Sequence, residues 1–170
     1  MPARIVVAHD DPFVREPVVT ALTRAEYDVA VFADPMAALN DIDDQTNALI
    51  TEMRFPPGHP NGVSLARMAL AKRPGLRVLL TAQAQFRKYA DGLGVFLPAP
   101  LDPARTVATV GHMLAAYRVV AKKRPSGQTV WVVVVVEPDG QERPMISFNV
   151  EARARQLVES LNAREAKQRG

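Results

Sequence analysis

The stretch Arg4-Ile5-Val6-Val7-Ala8-His9-Asp10-Asp11-Pro12 decides the reading of the chain. Ile5 to Ala8 form an unbroken apolar run. A strand buried on both faces reads that way, whereas a half-exposed strand alternates. The run ends in a polar cluster, His9-Asp10-Asp11. Pro12 then suits the first turn of a helix, where its missing N–H costs nothing. That helix is predicted to reach about Ala25, with Phe13, Val14, Val18, Ala21 and Leu22 on its inward face and Pro17 as a cost within it.

The same strand-then-helix alternation continues outward. Strands are predicted at Tyr27–Phe32, Ala48–Thr51, Arg77–Leu80 and Val95–Leu97. Between them lie a short helix opened by Asp34-Pro35, with Met36, Leu39 and Ile42 inward, and a helix from Val63 to Lys72. A weaker helix follows over Gln83–Asp91, and a last one runs from Asp102-Pro103 to about Tyr117. Five strands alternating with helices imply a doubly wound α/β sheet of parallel strands joined by right-handed crossovers. In such folds functional groups gather at the carboxyl ends of the strands. That rule selects His9, Asp10, Asp11, Glu52, Thr81 and the Pro98-Ala99-Pro100 turn.

The reading then changes character. Residues 120–127, with Lys122-Lys123-Arg124-Pro125-Ser126-Gly127, read as a linker after a first domain of residues 1–119. Residues 128–170 read as a small ββα unit. It comprises a strand at Thr129–Val136, a turn at Glu137–Gly140, a strand at Pro144–Phe148 and a helix whose apolar positions are Val150, Ala154, Leu157, Val158 and Leu161; the last residues are expected to fray. About 40 residues cannot bury a self-sufficient core. Trp131 and the valine run therefore need a partner surface, and self-association into a homodimer through this unit ranks first.

Bulk composition narrows the class further. The chain has 170 residues, is 48% hydrophobic and contains no cysteine. Disulfides, thiol catalysis and cysteine zinc sites are excluded, which suits a cytoplasmic protein. No apolar run reaches membrane-spanning length and no signal-peptide pattern opens the sequence. The first 119 residues balance their acids and bases, so the net +3 lies in the last 51.

Four segments, in order, carry a resemblance to the receiver domain of bacterial two-component response regulators. They are Arg4–Glu16; Ala48–Pro56 with Asn61-Gly62 after it; Val78-Leu79-Leu80-Thr81-Ala82; and Phe96-Leu97-Pro98-Ala99-Pro100. The resemblance covers roughly residues 3–119. It implies a flavodoxin-like five-stranded parallel sheet of order 2-1-3-4-5. It also implies phosphoryl transfer to a carboxylate beside Mg²⁺, with a lysine neutralising the phosphoryl group and a hydroxyl and an aromatic ring moving in response.

This chain departs from that set. Glu52 stands at the phosphoacceptor position, His9 replaces the first of the paired acids ahead of Asp10 and Asp11, and Ala99 stands where the lysine belongs. Thr81 and Phe96 keep the switch positions, and Ala99-Pro100 aligns with a bond that is often cis. The resemblance therefore implies a degenerate pseudo-receiver. Mg²⁺ would bind weakly at Asp10 and Glu52 or not at all, and no cofactor is expected. Glu52 either imitates the phosphorylated state, with one negative charge against nearly two, or fills an abandoned site, paired with His9 or Arg54. The neighbouring carboxylates are expected to raise the His9 pKa. His59 and His112 are assigned no site. Only 14 residues separate Thr81 from Phe96, so the fourth helix should be short or irregular.

The expected function is a non-enzymatic signalling module acting through protein partners. The alternative is a nucleic-acid-binding regulator using Lys122, Lys123, Arg124, Arg143, Arg153 and Arg155, although no helix-turn-helix signature is present. An enzyme is disfavoured. There is no glycine-rich phosphate loop and no nucleophile-elbow serine, and although Asp10 with Glu52 could form an acid pair, such a pair alone is poor evidence.

Overall fold

The computed structural model describes residues 2–136 and 141–167. The turn expected at Glu137–Gly140 and the last three residues, expected to fray, lie outside the described residues. The chain divides into two compact units between Met113 and Leu114.

The first unit alternates as the apolar runs require: β1 (Arg4–Ala8), α1 (Pro12–Arg24), β2 (Asp28–Phe32), α2 (Pro35–Asp41), β3 (Thr46–Glu52), α3 (Gly62–Lys72), β4 (Arg77–Ala82), a 3₁₀ segment (Ala84–Ala90), β5 (Val95–Pro98) and α4 (Pro103–Leu114). The strands form one parallel sheet of order β2-β1-β3-β4-β5. Ile5 to Ala8 are each at most 1% exposed, so both faces of β1 are covered. Val6, Leu49, Leu80 and Phe96 pack on one face with Ala38, Leu65 and Ala69 of α2 and α3. The expected fourth helix is indeed irregular, a single 3₁₀ stretch.

Two helix faces differ from the periodic reading. Phe13 is 89% exposed and Met36 39% exposed. Asp11 caps α1 by accepting the Phe13 N–H at 2.9 Å, and Asp34 caps α2 by accepting the Met36 N–H at 2.9 Å. These caps fix where each helix starts, and the start turns the first apolar side chain outward. Helix α1 also runs through Pro17 without ending there.

The second unit corrects the predicted boundary. Helix α4 stops at Leu114, and β6 (Ala116–Lys123) takes up much of the stretch read as linker 120–127. β7 (Thr129–Val136), β8 (Glu142–Phe148) and α5 (Glu151–Lys167) follow. The unit is thus βββα rather than ββα, with an antiparallel sheet of order β6-β7-β8. The cause lies in pairing. Val119 and Val120 face Val133 and Val132 across the ladder, and β-branched residues gain more from a pleated neighbour than from another helical turn. A tight turn closes the hairpin, with Gly127 at φ 83° and its N–H on the Arg124 carbonyl at 2.9 Å.

β8 is an edge strand with six of its seven residues exposed. Ala154 of α5 is fully buried, whereas Val150, expected inward, is 53% exposed. Among the described residues no helix is long and apolar enough to cross a membrane.

Candidate functional site

Parallel pairing brings the predicted residues together at one end of the sheet. Ala8 pairs with Thr51, so His9 and Glu52 leave the sheet one step further on. Glu52 pairs directly with Thr81, so these two side chains share a face. The row His9, Glu52, Thr81 thus spans β1, β3 and β4.

The local geometry is tight. The Asp10 N–H donates to Glu52 Oε1 at 2.6 Å. His9 Nδ1 lies 3.7 Å from Glu52 Oε1 and 3.9 Å from Asp10 Oδ1. One donor atom from each of His9, Asp10 and Glu52 falls within 4.8 Å of the others. Asp11 is not among them, because its carboxylate caps α1. Its backbone N–H donates to His9 Nδ1 at 3.2 Å, so Nδ1 carries a lone pair. Arg15 donates to the His9 carbonyl at 2.6 Å and to the Asp10 carbonyl at 3.4 Å, tying the turn to α1.

Burial governs the charges. It pushes the Glu52 carboxyl up to about 8; the charges of Asp10 and Asp11 add to the rise and the Asp10 N–H opposes it. Burial also lowers His9 below its ordinary value, outweighing Asp10 and Asp11. The expected upward shift of His9 is therefore reversed. Near neutrality both groups favour their neutral forms, and the 3.7 Å contact is not a standing ion pair. Arg54 is exposed and forms no ion pair with Glu52.

The remaining predicted residues sit around this cluster. Thr81 is 2% exposed, and its Oγ1 is buried without a hydrogen-bond partner. Phe96 is buried, with the Arg87 guanidinium 4.9 Å from its ring centroid. Ala99 brings only a methyl group; its N–H bonds the Ala82 carbonyl at 2.8 Å and its bond to Pro100 is cis.

Sequence reading missed Arg15, Arg87 and the reason for Gly62. A Cβ at Gly62 would lie 1.8 Å from the Glu52 carbonyl oxygen. The quoted Asn61-Gly62 pair was the available signal. His59 lies 3.3 Å from Asp34, away from the cluster, as a surface contact.

Solved structures share the fold of the first unit. A CheY-like response regulator receiver domain protein from Methanospirillum hungatei JF-1 matches with a TM-score of 0.60 and 19% identity, over 67% of this chain and 94% of that one. A putative response regulator from Chloroflexus aurantiacus J-10-fl matches with a TM-score of 0.59 and 23% identity, over 67% and 98%. The non-phosphorylated HemR receiver domain from Leptospira biflexa matches with a TM-score of 0.56 and 26% identity, over 65% and 91%. The first unit has the receiver fold. The receiver matches take in nearly all of those chains and two-thirds of this one. No protein-family model and no curated protein matches the sequence.

The receiver fold raises the question of Mg²⁺, and the residues present do not fit it. Mg²⁺ demands near-ideal octahedral oxygen ligation. Here one of the three clustered donors is an imidazole nitrogen, the carboxylate of Asp11 is committed to its helix, and a guanidinium holds the carbonyls of His9 and Asp10.

Proposed function

We propose that the first unit is a signalling module of the receiver type that acts through protein–protein contacts and is not phosphorylated by Asp, Mg²⁺ and Lys chemistry. The carrying observation is the Glu52 carboxyl, at the phosphoacceptor-equivalent position, held on the Asp10 amide at 2.6 Å. Glutamate is one methylene longer than aspartate, so its carboxyl occupies space that an incoming phosphoryl group needs. Ala99 supplies no cation to neutralise that group, and an unneutralised transfer loses a large electrostatic stabilisation. Of the two readings of Glu52, the lone Thr81 hydroxyl favours the inert one. An imitation of the phosphorylated state would engage that hydroxyl.

The test is incubation of the full chain with acetyl phosphate and Mg²⁺, read by intact mass. No adduct is expected. A stable gain of one phosphoryl group at Glu52 overturns the reading.

The second unit serves self-association in this reading. Its edge strand β8 exposes Met145 at 54% and Ile146 at 45%. Nucleic acid is the less favoured partner: no helix-turn-helix signature accompanies the basic residues, and Arg155 among them is paired with Glu151. A light-scattering mass of the full chain equal to the monomer sinks the dimer. The module is taken to work in the cytoplasm, without catalytic activity of its own.

A further inference from the structure

Helix α1 carries an uncovered surface of its own, on the first unit. Phe13, at 89%, is the most exposed of the large apolar side chains described. It borders an open groove of about 520 Å³, with Pro17 and Ala21 of α1 and Pro103 of α4 among its walls. Glu16 and Arg24 line the same groove, and Thr20 lies between them. These α1 positions recur every three or four residues, so they form one stripe along the helix. Neither Glu16 nor Arg24 has an ion-pair partner among the described residues.

We infer that a second copy of this chain seats on the groove, its α1 antiparallel to the first about a two-fold axis at Thr20. Charge complementarity carries the argument. A two-fold interface must match itself, and the charges of α1 do so in the antiparallel orientation. Glu16 and Arg24 each stand four residues from Thr20, about 6 Å along the helix axis. An antiparallel pair centred there sets Glu16 beside Arg24 of the second copy, twice over. A parallel pair would set like charges together.

Pro17 adds an independent point. A proline has no N–H to give the carbonyl four residues earlier, and in α1 that carbonyl belongs to Phe13. Arg24 of the second copy arrives at this level with five N–H donors, so the Glu16 carboxylate and the Phe13 carbonyl are both within its reach. Thr20 is short, which lets the two axes approach to an ordinary packing distance of about 8–10 Å. Covering Phe13 takes a large apolar ring out of water, and such rings dominate interface energetics. This contact is separate from the β8 edge and rests on the first unit alone.

The experiment is sedimentation velocity of the full chain over a wide concentration range, in an Ile146→Lys background that disables β8. A monomer–dimer equilibrium is expected. Glu16→Arg and Arg24→Glu should each weaken it about 10-fold, because two attractive contacts become two repulsive ones. The double variant Glu16→Arg, Arg24→Glu should restore it, since the exchanged charges still meet. Phe13→Gln should weaken the dimer and leave urea unfolding of the monomer unchanged, so the inference stays testable even if a charge variant folds poorly. A monomer at every concentration in the Ile146→Lys background overturns the α1 pairing, and it leaves the β8 reading standing where the parent chain is a dimer. A dimer indifferent to Glu16→Arg and Phe13→Gln also overturns it, as does an exchange of charges that fails to restore association.

Discussion

A central strand of the first sheet and an edge strand of the second are built on opposite plans. In β1 the four residues Ile5 to Ala8 are all buried, so neither face of the strand meets water. In β8, six of seven residues are exposed, Met145 and Ile146 among them. Parallel strands with helical crossovers must be covered on both faces, whereas an antiparallel edge strand can stand bare. The first plan concentrates stability in the sheet interior and leaves chemistry to the strand ends. The second leaves an adhesive edge.

Changes made along that gradient should have graded effects. The largest belongs to the interior. Leu49→Ala, at a fully buried position of β3, should cost about 3–4 kcal/mol in urea unfolding. A cost under about 1 kcal/mol would mean that the parallel sheet is looser than its burial indicates.

The strand-end pocket should come next, through pH. The folded carboxyl of Glu52 titrates at about 8, above its ordinary value of 4.5. Its contribution to stability is therefore full below about pH 4.5 and is lost as pH rises through about 8. Allowing for partial solvent access, the loss should be on the order of 2 kcal/mol in metal-free protein. Glu52→Gln should remove this part of the pH profile. His9 works the other way. Its lowered pKa gives stability present above 6.5 and lost as pH falls through the folded value, and His9→Gln should flatten the acid side. An unchanged pH profile in both variants would mean that burial does not govern these two groups.

A smaller effect is expected at the cap of α1. Asp11→Ala should cost about 1 kcal/mol, because the Phe13 N–H loses its acceptor. The smallest change in fold stability should come from β8. Ile146→Lys should shift monomer stability by less than about 0.5 kcal/mol, yet lower the mass seen by light scattering. If it unfolds the second unit instead, β8 is not the bare edge that its exposure describes.

Which of these features the sequence revealed follows the same division. The continuous run Arg4–Ala8 and its four successors announced a doubly wound sheet, since both-face burial is a local property of each run. The strand-end rule then found His9, Glu52 and Thr81 without knowledge of their distances. What escaped was whatever depends on a remote partner. Val119 and Val120 read as the end of the first domain and the start of a linker until Val133 and Val132 are placed opposite them. The sign of the His9 shift depends on burial, which no spacing of carboxylates displays. Arg15 reaches backbone carbonyls, and a carbonyl leaves no mark in a sequence.

The close approach of Gly62 to the end of β3 bears on how this pocket can change over time. The Glu52 carbonyl accepts the Thr51 hydroxyl at 2.9 Å, and a side chain at position 62 would collide with it. Next to it, the Met53 N–H is held on the Thr81 carbonyl at 2.9 Å. The main chain here is a fixed socket, while the side chain at position 52 projects away from that clamp. Mutation can swap the plug without disturbing the receptacle. A lineage can thus abandon one chemistry and take up another at this strand end, with glycine at position 62 as the change it is least free to make.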